Sequence, residues 1–441
     1  MNNYEFLDLF LEGNNVYVYF LSLLLSATIY ILVFRGYIKS IFDPLFTAVV
    51  FSSLGAAIVL FLLFTQTISN SLFINYLLTQ VAYFWGVFRF KNTENQIEPR
   101  CVPQNFAQIN HCYYFFCGIT IVCHLLTYQL RGIPLLMDSR LEAFIGGTGL
   151  GIFSRVMDVS ILCSLLCYFF LAANNEQAKV TLLHHFLLLV LITFLVLSGS
   201  KSAFLSLPFA LFCMTRFYPT LKSHLRNKFP FSILQNKYLL LSIGIGISLI
   251  ILSVQKKQTP LTPLEELAYR LMLSGDVYYM SYTNDVYKVL GGGNGFIALF
   301  QDFLGFFRIY SWDNITEVIG VELTKYHHGG ELLWGPNSRH NIFGLIYFDY
   351  YGAIIFSLLL GILVGFVRNK LLSFQYNNIF MFLLYSLLYI KIVIMETDPM
   401  LAFSYLTNVL FVFPFLFFLF LIYNEMRGEK LVDPIVSHGE Q

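Results

Sequence analysis

Arg339, His340 and Asn341 stand at a junction. Before them the chain is polar from Pro336, and after them an apolar run continues to Arg368 and Lys370. An imidazole is the side chain best suited to accept a proton near neutral pH. A guanidinium fork matches phosphate and carboxylate oxygens. Both stand at the head of a stretch long enough to cross a bilayer, so this mouth reads as an active site at the outer face of a membrane. Taken alone, His340 reads better as an interfacial histidine bonded to a backbone carbonyl.

Other cations extend the pattern. Lys201 lies in SGSKSAFLSLP, between two apolar runs. It is either an anion-binding lysine beneath a tight turn, helped by the N–H groups of Ser198, Gly199 and Ser200, or a snorkelling interfacial lysine. Arg140 precedes the glycine-rich GGTGLG, with Arg131 upstream and Arg155 downstream. That suits phosphate or diphosphate recognition, and it also suits a flexible loop with scattered charges. Arg270 precedes Asp276 on an amphipathic stretch and reads as a ligand-facing arginine or one half of a salt bridge. Among carboxylates, Asp349 falls inside an apolar run, where it would orient an arginine, bind a sugar hydroxyl or be paired within its helix. Glu396 and Asp398 fall on an outward turn before Pro399. His327 and His328 have no carboxylate or cysteine at a useful spacing, and the seven cysteines form no framework, so no metal site is expected.

The elements that must position these groups follow from composition. The chain has 441 residues, 57% of them hydrophobic and 12% charged, against about 25% charged in soluble domains. It is expected to be an all-α, polytopic membrane helix bundle, a single transmembrane domain over 1–441. About eleven spans are expected, at roughly 16–34, 45–65, 72–88, 112–129, 155–173, 180–198, 202–216, 237–254, 342–367, 377–396 and 401–424. Fifteen of the 27 Lys and Arg residues fall in one set of mostly short loops, which makes that side cytoplasmic, with the N-terminus outside and the C-terminus inside. The first span is expected to act as the targeting signal. Two outward segments remain, 130–154 and the long aromatic loop 255–341. The loop carries an amphipathic helix over 260–280, a break at GGGNG (291–295) and a surface helix over 296–310. A net charge of +1 argues against a nucleic-acid partner. The short cytoplasmic loops leave no room for a nucleotide-binding domain.

SRHNIFGLIYFDYYGAIIFSLLLG resembles a segment shared by O-antigen polymerases (the Wzy family) and the related O-antigen ligases. In it a His-Asn pair opens a span, and a glycine follows near the eleventh position, here Gly352. SGSKSAFLSLP resembles their other signature, with Lys201 where those families usually carry arginine. RGIPLL at 131–136 and the Arg140-to-Gly151 spacing are similar to polymerase outer-loop features. A second such spacing, from Arg339, is absent because position 350 is tyrosine. The resemblance implies a GT-C-type glycosyltransferase of the bacterial inner membrane that needs no cofactor or metal. Both donor and acceptor would be oligosaccharides on undecaprenyl diphosphate, with membrane lipid around them and a chain-length regulator as a candidate partner. It implies His340 as the base, Lys201, Arg270, Arg140, Arg131 and Arg339 around the diphosphate, and Asn341 beside them. An O-antigen ligase or a lipid-linked oligosaccharide flippase is the alternative. If Lys201 acts through its charge, Lys201→Ala will nearly abolish polymer and Lys201→Arg will retain most of it in a glycan gel. Equal loss from both would indicate packing instead.

Overall fold

The computed structural model describes residues 1–38, 40–90, 106–137, 151–174, 179–217, 273–311, 314, 316–330, 334–370 and 379–427. The described residues form helices and no strands: α1 (Asn3–Leu11), α2 (Asn15–Phe34), α3 (Pro44–Phe64), α4 (Asn70–Phe88), α5 (Phe106–Arg131), α6 (Gly151–Ala173), α7 (Leu182–Leu197), α8 (Ser206–Phe217), α9 (Asp276–Tyr282), α10 (Gly295–Phe306), α11 (Ile319–His328), α12 (His340–Gly365), α13 (Ile379–Ile392), α14 (Pro399–Thr407) and α15 (Phe413–Met426). Eight stretches are long and apolar enough to cross a membrane, as expected of a multi-pass membrane protein. They correspond to eight of the eleven expected spans. Of the other three, α7 and α8 are short, with 16 and 12 residues, and 237–254 lies outside the described residues.

The chain divides into two units. The first comprises Met1–Thr93, Gly244–Leu372 and Tyr389–Thr407, the second Glu94–Ile243, Ser373–Leu388 and Asn408–Gln441. In the second unit α5 and α6 pack side by side, and Thr120 Oγ1 donates to Ser160 Oγ at 2.8 Å between them. His184 of α7 stacks on Tyr113 of α5 with ring centroids 5.3 Å apart. A single π-helical turn, Asn408–Val412, brings Asn408 Oδ1 to 2.8 Å from Arg155 Nη1 of α6.

In the first unit α3 starts at Asp43, whose side chain accepts from the Leu45 N–H, with Pro44 in the first turn. At this end Arg368 is enclosed. Its guanidinium pairs with Asp43 (Nη2 to Oδ2, 2.7 Å), reaches the Tyr389 hydroxyl at 2.5 Å and lies 4.6 Å from the Tyr37 ring. Tyr389 donates to the same carboxylate. Arg35 and Arg89, at the C-terminal ends of α2 and α4, share this end, where Tyr37 OH donates to the Val87 carbonyl.

The largest departure from expectation is α12. A straight helix would put His340 and Ser357 about 25 Å apart, yet His340 Nδ1 lies 2.9 Å from Ser357 Oγ. The stretch is a helical hairpin that turns at Asp349, which is exposed and has φ 58° and ψ −174°. The first arm, 340–348, runs back along the second, 350–365. Gly344 permits the contact: a Cβ there would lie 2.9 Å from the Ala353 Cα. The expected span 342–367 is therefore carried by the second arm, continued by a π turn over Phe366–Lys370. Asp349 sits at the turn rather than inside a span.

The second arm runs parallel to α4. Asn75 Nδ2 donates to the Tyr350 carbonyl at 2.8 Å, and farther along Gly361 presses on the Tyr83 backbone. Small residues let membrane helices approach this closely. The segment 273–282 also enters the bundle. Tyr279 stacks on Phe6 at 4.2 Å, and Gly275 lies against Gly55 and Ile58 of α3. Residues 277–282 are all buried, so this part of the expected amphipathic helix lies inside the bundle instead of on a surface; the remainder, 260–272, lies outside the described residues. The expected break at 291–295 is present, with φ 76° at Gly291 and 113° at Gly293, and Asn294 caps α10.

A Cβ at Gly361 would lie 2.0 Å from the Tyr83 carbonyl oxygen, so α4 and the second arm would have to separate. Gly361→Ala should cost about 1–3 kcal/mol or more, read as a lower melting temperature of the purified protein in detergent. Gly118→Ala, with nothing within 4 Å, should leave it unchanged.

Candidate functional site

The hairpin carries Arg339, His340 and Asn341 away from the mouth of a span and into the first unit's interior. Their neighbours are Phe51, the eighth of 21 residues in α3, and Thr79 and Gln80, the tenth and eleventh of 19 in α4. The site therefore sits midway along the helices. Ionisable groups at such a level are costly and need partners.

Arg339 has them. Its backbone, at φ 47°, donates N–H to the Thr397 carbonyl at 3.0 Å. Nη1 lies 3.2 and 3.3 Å from the two oxygens of Glu396. Nη2 donates to the carbonyls of Phe51 at 2.9 Å and Ser274 at 2.8 Å. The guanidinium carbon is 6.0 Å from the centre of the Tyr278 ring. Both charged side chains are closed off, with Arg339 3% exposed and Glu396 1%. One cation thus ties the hairpin to α3, to the inserted segment and to the chain after α13.

Asn341 extends the network. Its Nδ2 donates to Thr79 Oγ1 at 2.9 Å and to Gln80 Oε1 at 3.1 Å, and its Oδ1 accepts from Tyr278 OH at 2.8 Å. Gln80 Nε2 then donates to Ser52 Oγ at 2.8 Å, which lies 2.9 Å from Tyr30 OH. These bonds satisfy most of the polar groups buried here.

His340 is the exception. Its ring is wholly buried and stacks on Tyr83 at 4.6 Å and 17°. Nδ1 faces Ser357, while among the described residues neither Nε2 nor the Tyr83 hydroxyl has a partner. If the Nδ1 proton goes to Ser357, Nε2 keeps its lone pair for an incoming proton.

The remaining candidates fall elsewhere. Arg131 ends α5 in the second unit, and Lys201 opens a single 3-10 helical turn, Lys201–Leu205, in the same unit. Arg140 and Arg270 lie outside the described residues. The structure thus brings Arg339, His340 and Asn341 together in the first unit's interior and leaves the roles of the other four to their residue types and spacing.

One participant escaped the sequence. Glu396 reads there as an outward-turn carboxylate, yet it is the counter-ion of Arg339. Whether Arg270 faces a ligand or pairs with Asp276 lies outside the described residues. The available signal was polarity within apolar runs, since Gln80, Asn75 and Glu396 all interrupt stretches of span composition. No group of metal-ligating side chains occurs among the described residues. No family model, curated protein or solved structure matches the chain. What fold and site define together is a helical multi-pass membrane protein with an ion pair sealed inside one of its two units.

Removing one partner of a buried pair strands the other charge, at a cost of roughly 3–5 kcal/mol. Glu396→Gln should therefore lower thermal stability in detergent severely, and the double variant Arg339→Met/Glu396→Gln should recover part of the loss. A double variant as unstable as the single one would remove charge pairing as the cause.

Proposed function

We propose that the chain is a metal-independent polysaccharide polymerase of the O-antigen type. It would lie in the bacterial cytoplasmic membrane, with its N-terminus outside, its C-terminus inside and the long 255–341 loop on the outer face. It transfers the growing glycan from undecaprenyl diphosphate onto a lipid-linked repeat unit. The hydroxyl oxygen of the acceptor's terminal sugar attacks the donor's anomeric carbon, and the bond to the diphosphate breaks. The hydroxyl proton passes to His340 Nε2, and undecaprenyl diphosphate leaves.

The observation that carries this reading is the unpartnered Nε2 of a buried imidazole whose other nitrogen is fixed by Ser357, beside an anchored guanidinium. The resemblance of SRHNIFGLIYFDYYG and SGSKSAFLSLP to the polymerase segments supports it. Arg339 can meet a diphosphate only by giving up part of its bonding to Glu396. Lys201, Arg270, Arg140 and Arg131 are the other proposed sources of positive charge, and one well-placed group is worth about 3–4 kcal/mol of barrier.

A flippase or transporter is the second reading. It is favoured by a broken membrane helix that ends at an ion pair midway along the bundle, since transporters build binding sites from discontinuous helices. A ligase would use the same chemistry on a lipid A core acceptor.

Under the polymerase reading, His340→Ala will reduce polymer by at least 100-fold while the protein still inserts, as seen by immunoblot and glycan gel. Persistence of full-length polymer removes His340 as the base. Loss of long chains with single repeats still attached to the core separates the polymerase from the ligase, and an assay of lipid-linked glycan translocation separates it from the flippase.

A further inference from the structure

From Gly275 to Tyr282 every residue is buried except Asp276. This segment is wedged between Phe6 of α1 and Gly55 of α3, and Arg339 holds the Ser274 carbonyl just before it. Asp276 is half-buried, and its partial exposure belongs to a fixed element. The carboxylate is sparsely used. Oδ1 accepts one bond, from the Val277 N–H at 2.9 Å, and among the described residues no cation lies within ion-pair distance. Glu396, by contrast, is spent on Arg339 and closed to solvent. A carboxylate kept inside a bundle with few partners costs stability, and such groups tend to line a cavity or a substrate path.

We propose that Asp276 is an acceptor-binding residue, whose carboxylate accepts hydrogen bonds from hydroxyls of the incoming repeat unit. This rests on the polymerase reading above. The chemistry suits a neutral, hydroxyl-rich ligand. A carboxyl group offers two oxygens and several lone pairs, enough to orient neighbouring hydroxyls. Its neighbour Tyr278 donates to Asn341, so a ligand at Asp276 lies two residues from the network that orients the hairpin.

Two measurements on the full chain in membranes test this. In a Cys101→Ser background, Asp276→Cys should react with a charged, membrane-impermeant methanethiosulfonate at least ten times faster than Val277→Cys. Polymerisation should then be assayed with purified undecaprenyl-diphosphate-linked repeat units at saturating donor. Asp276→Asn should raise the acceptor KM by about 10- to 100-fold, the worth of a hydrogen bond to a charged group, and leave the donor KM unchanged. Asp276→Glu should stay within a few-fold of wild type, and serves as the comparison if the asparagine variant inserts poorly. Equal labelling of the two cysteines would show that no open site exists, and rapid labelling with a wild-type acceptor KM in both variants would show that the site serves something else. If wild-type membranes elongate no repeat units, the polymerase reading falls and the acceptor role with it, while the labelling still reports whether the site is open.

Discussion

A positive charge has to be kept inside a bundle that is otherwise apolar, and the first unit is arranged around that constraint. The cost of taking Arg339 and Glu396 out of water is large, and their attraction offsets it only when the remaining donors are also satisfied. The two carbonyls from Phe51 and Ser274 complete the fork. Those contacts reach three separate parts of the chain, so α3, the inserted segment and the link before α14 cannot move independently of the hairpin. A network of Asn341, Gln80, Ser52, Thr79 and two tyrosines surrounds the pair and leaves few polar groups there unbonded. Among the described residues the His340 Nε2, the Tyr83 hydroxyl and the Asn75 side-chain oxygen remain without a partner.

Much of the scaffold was legible from hydrophobicity alone. Runs of span length at α2, α3, α4, α5 and α6 fall within a few residues of their expected limits, because in hydrocarbon a helix is the only way to satisfy an open chain's backbone. The gathering of Arg35, Arg89 and Arg368 at one end was legible too, since loop cations follow a simple bias. The hairpin was not. Residues 342–367 have the composition of one continuous span, and an exposed aspartate within it is compatible with a kink, a pair or a turn. What decides the matter is Gly344 meeting Ala353, a contact between two positions that hydropathy cannot relate. Gly352 was singled out in the sequence for its spacing from His340, but the use of its neighbour Ala353 in closing two arms was not legible.

The site itself was half legible. Arg339, His340 and Asn341 were singled out by type and adjacency, and they do lie together. Their depth was misplaced, because a residue at the polar edge of an apolar run is ordinarily at an interface. Glu396 was missed for a related reason. It owes its role to Arg339, 57 positions away, and single-sequence patterns carry no such information. The opposite end of the unit shows the same principle, for Arg368 reads as an ordinary loop cation until Asp43 is found opposite it, 325 residues earlier.

That separation of 57 residues also bears on biosynthesis. Arg339 leaves the ribosome well before Glu396, by about 3–11 s at roughly 5–20 residues per second. During this delay the guanidinium has no counter-charge, and the hydrocarbon offers it none. The pair that holds the short arm can close only after the glutamate has been delivered.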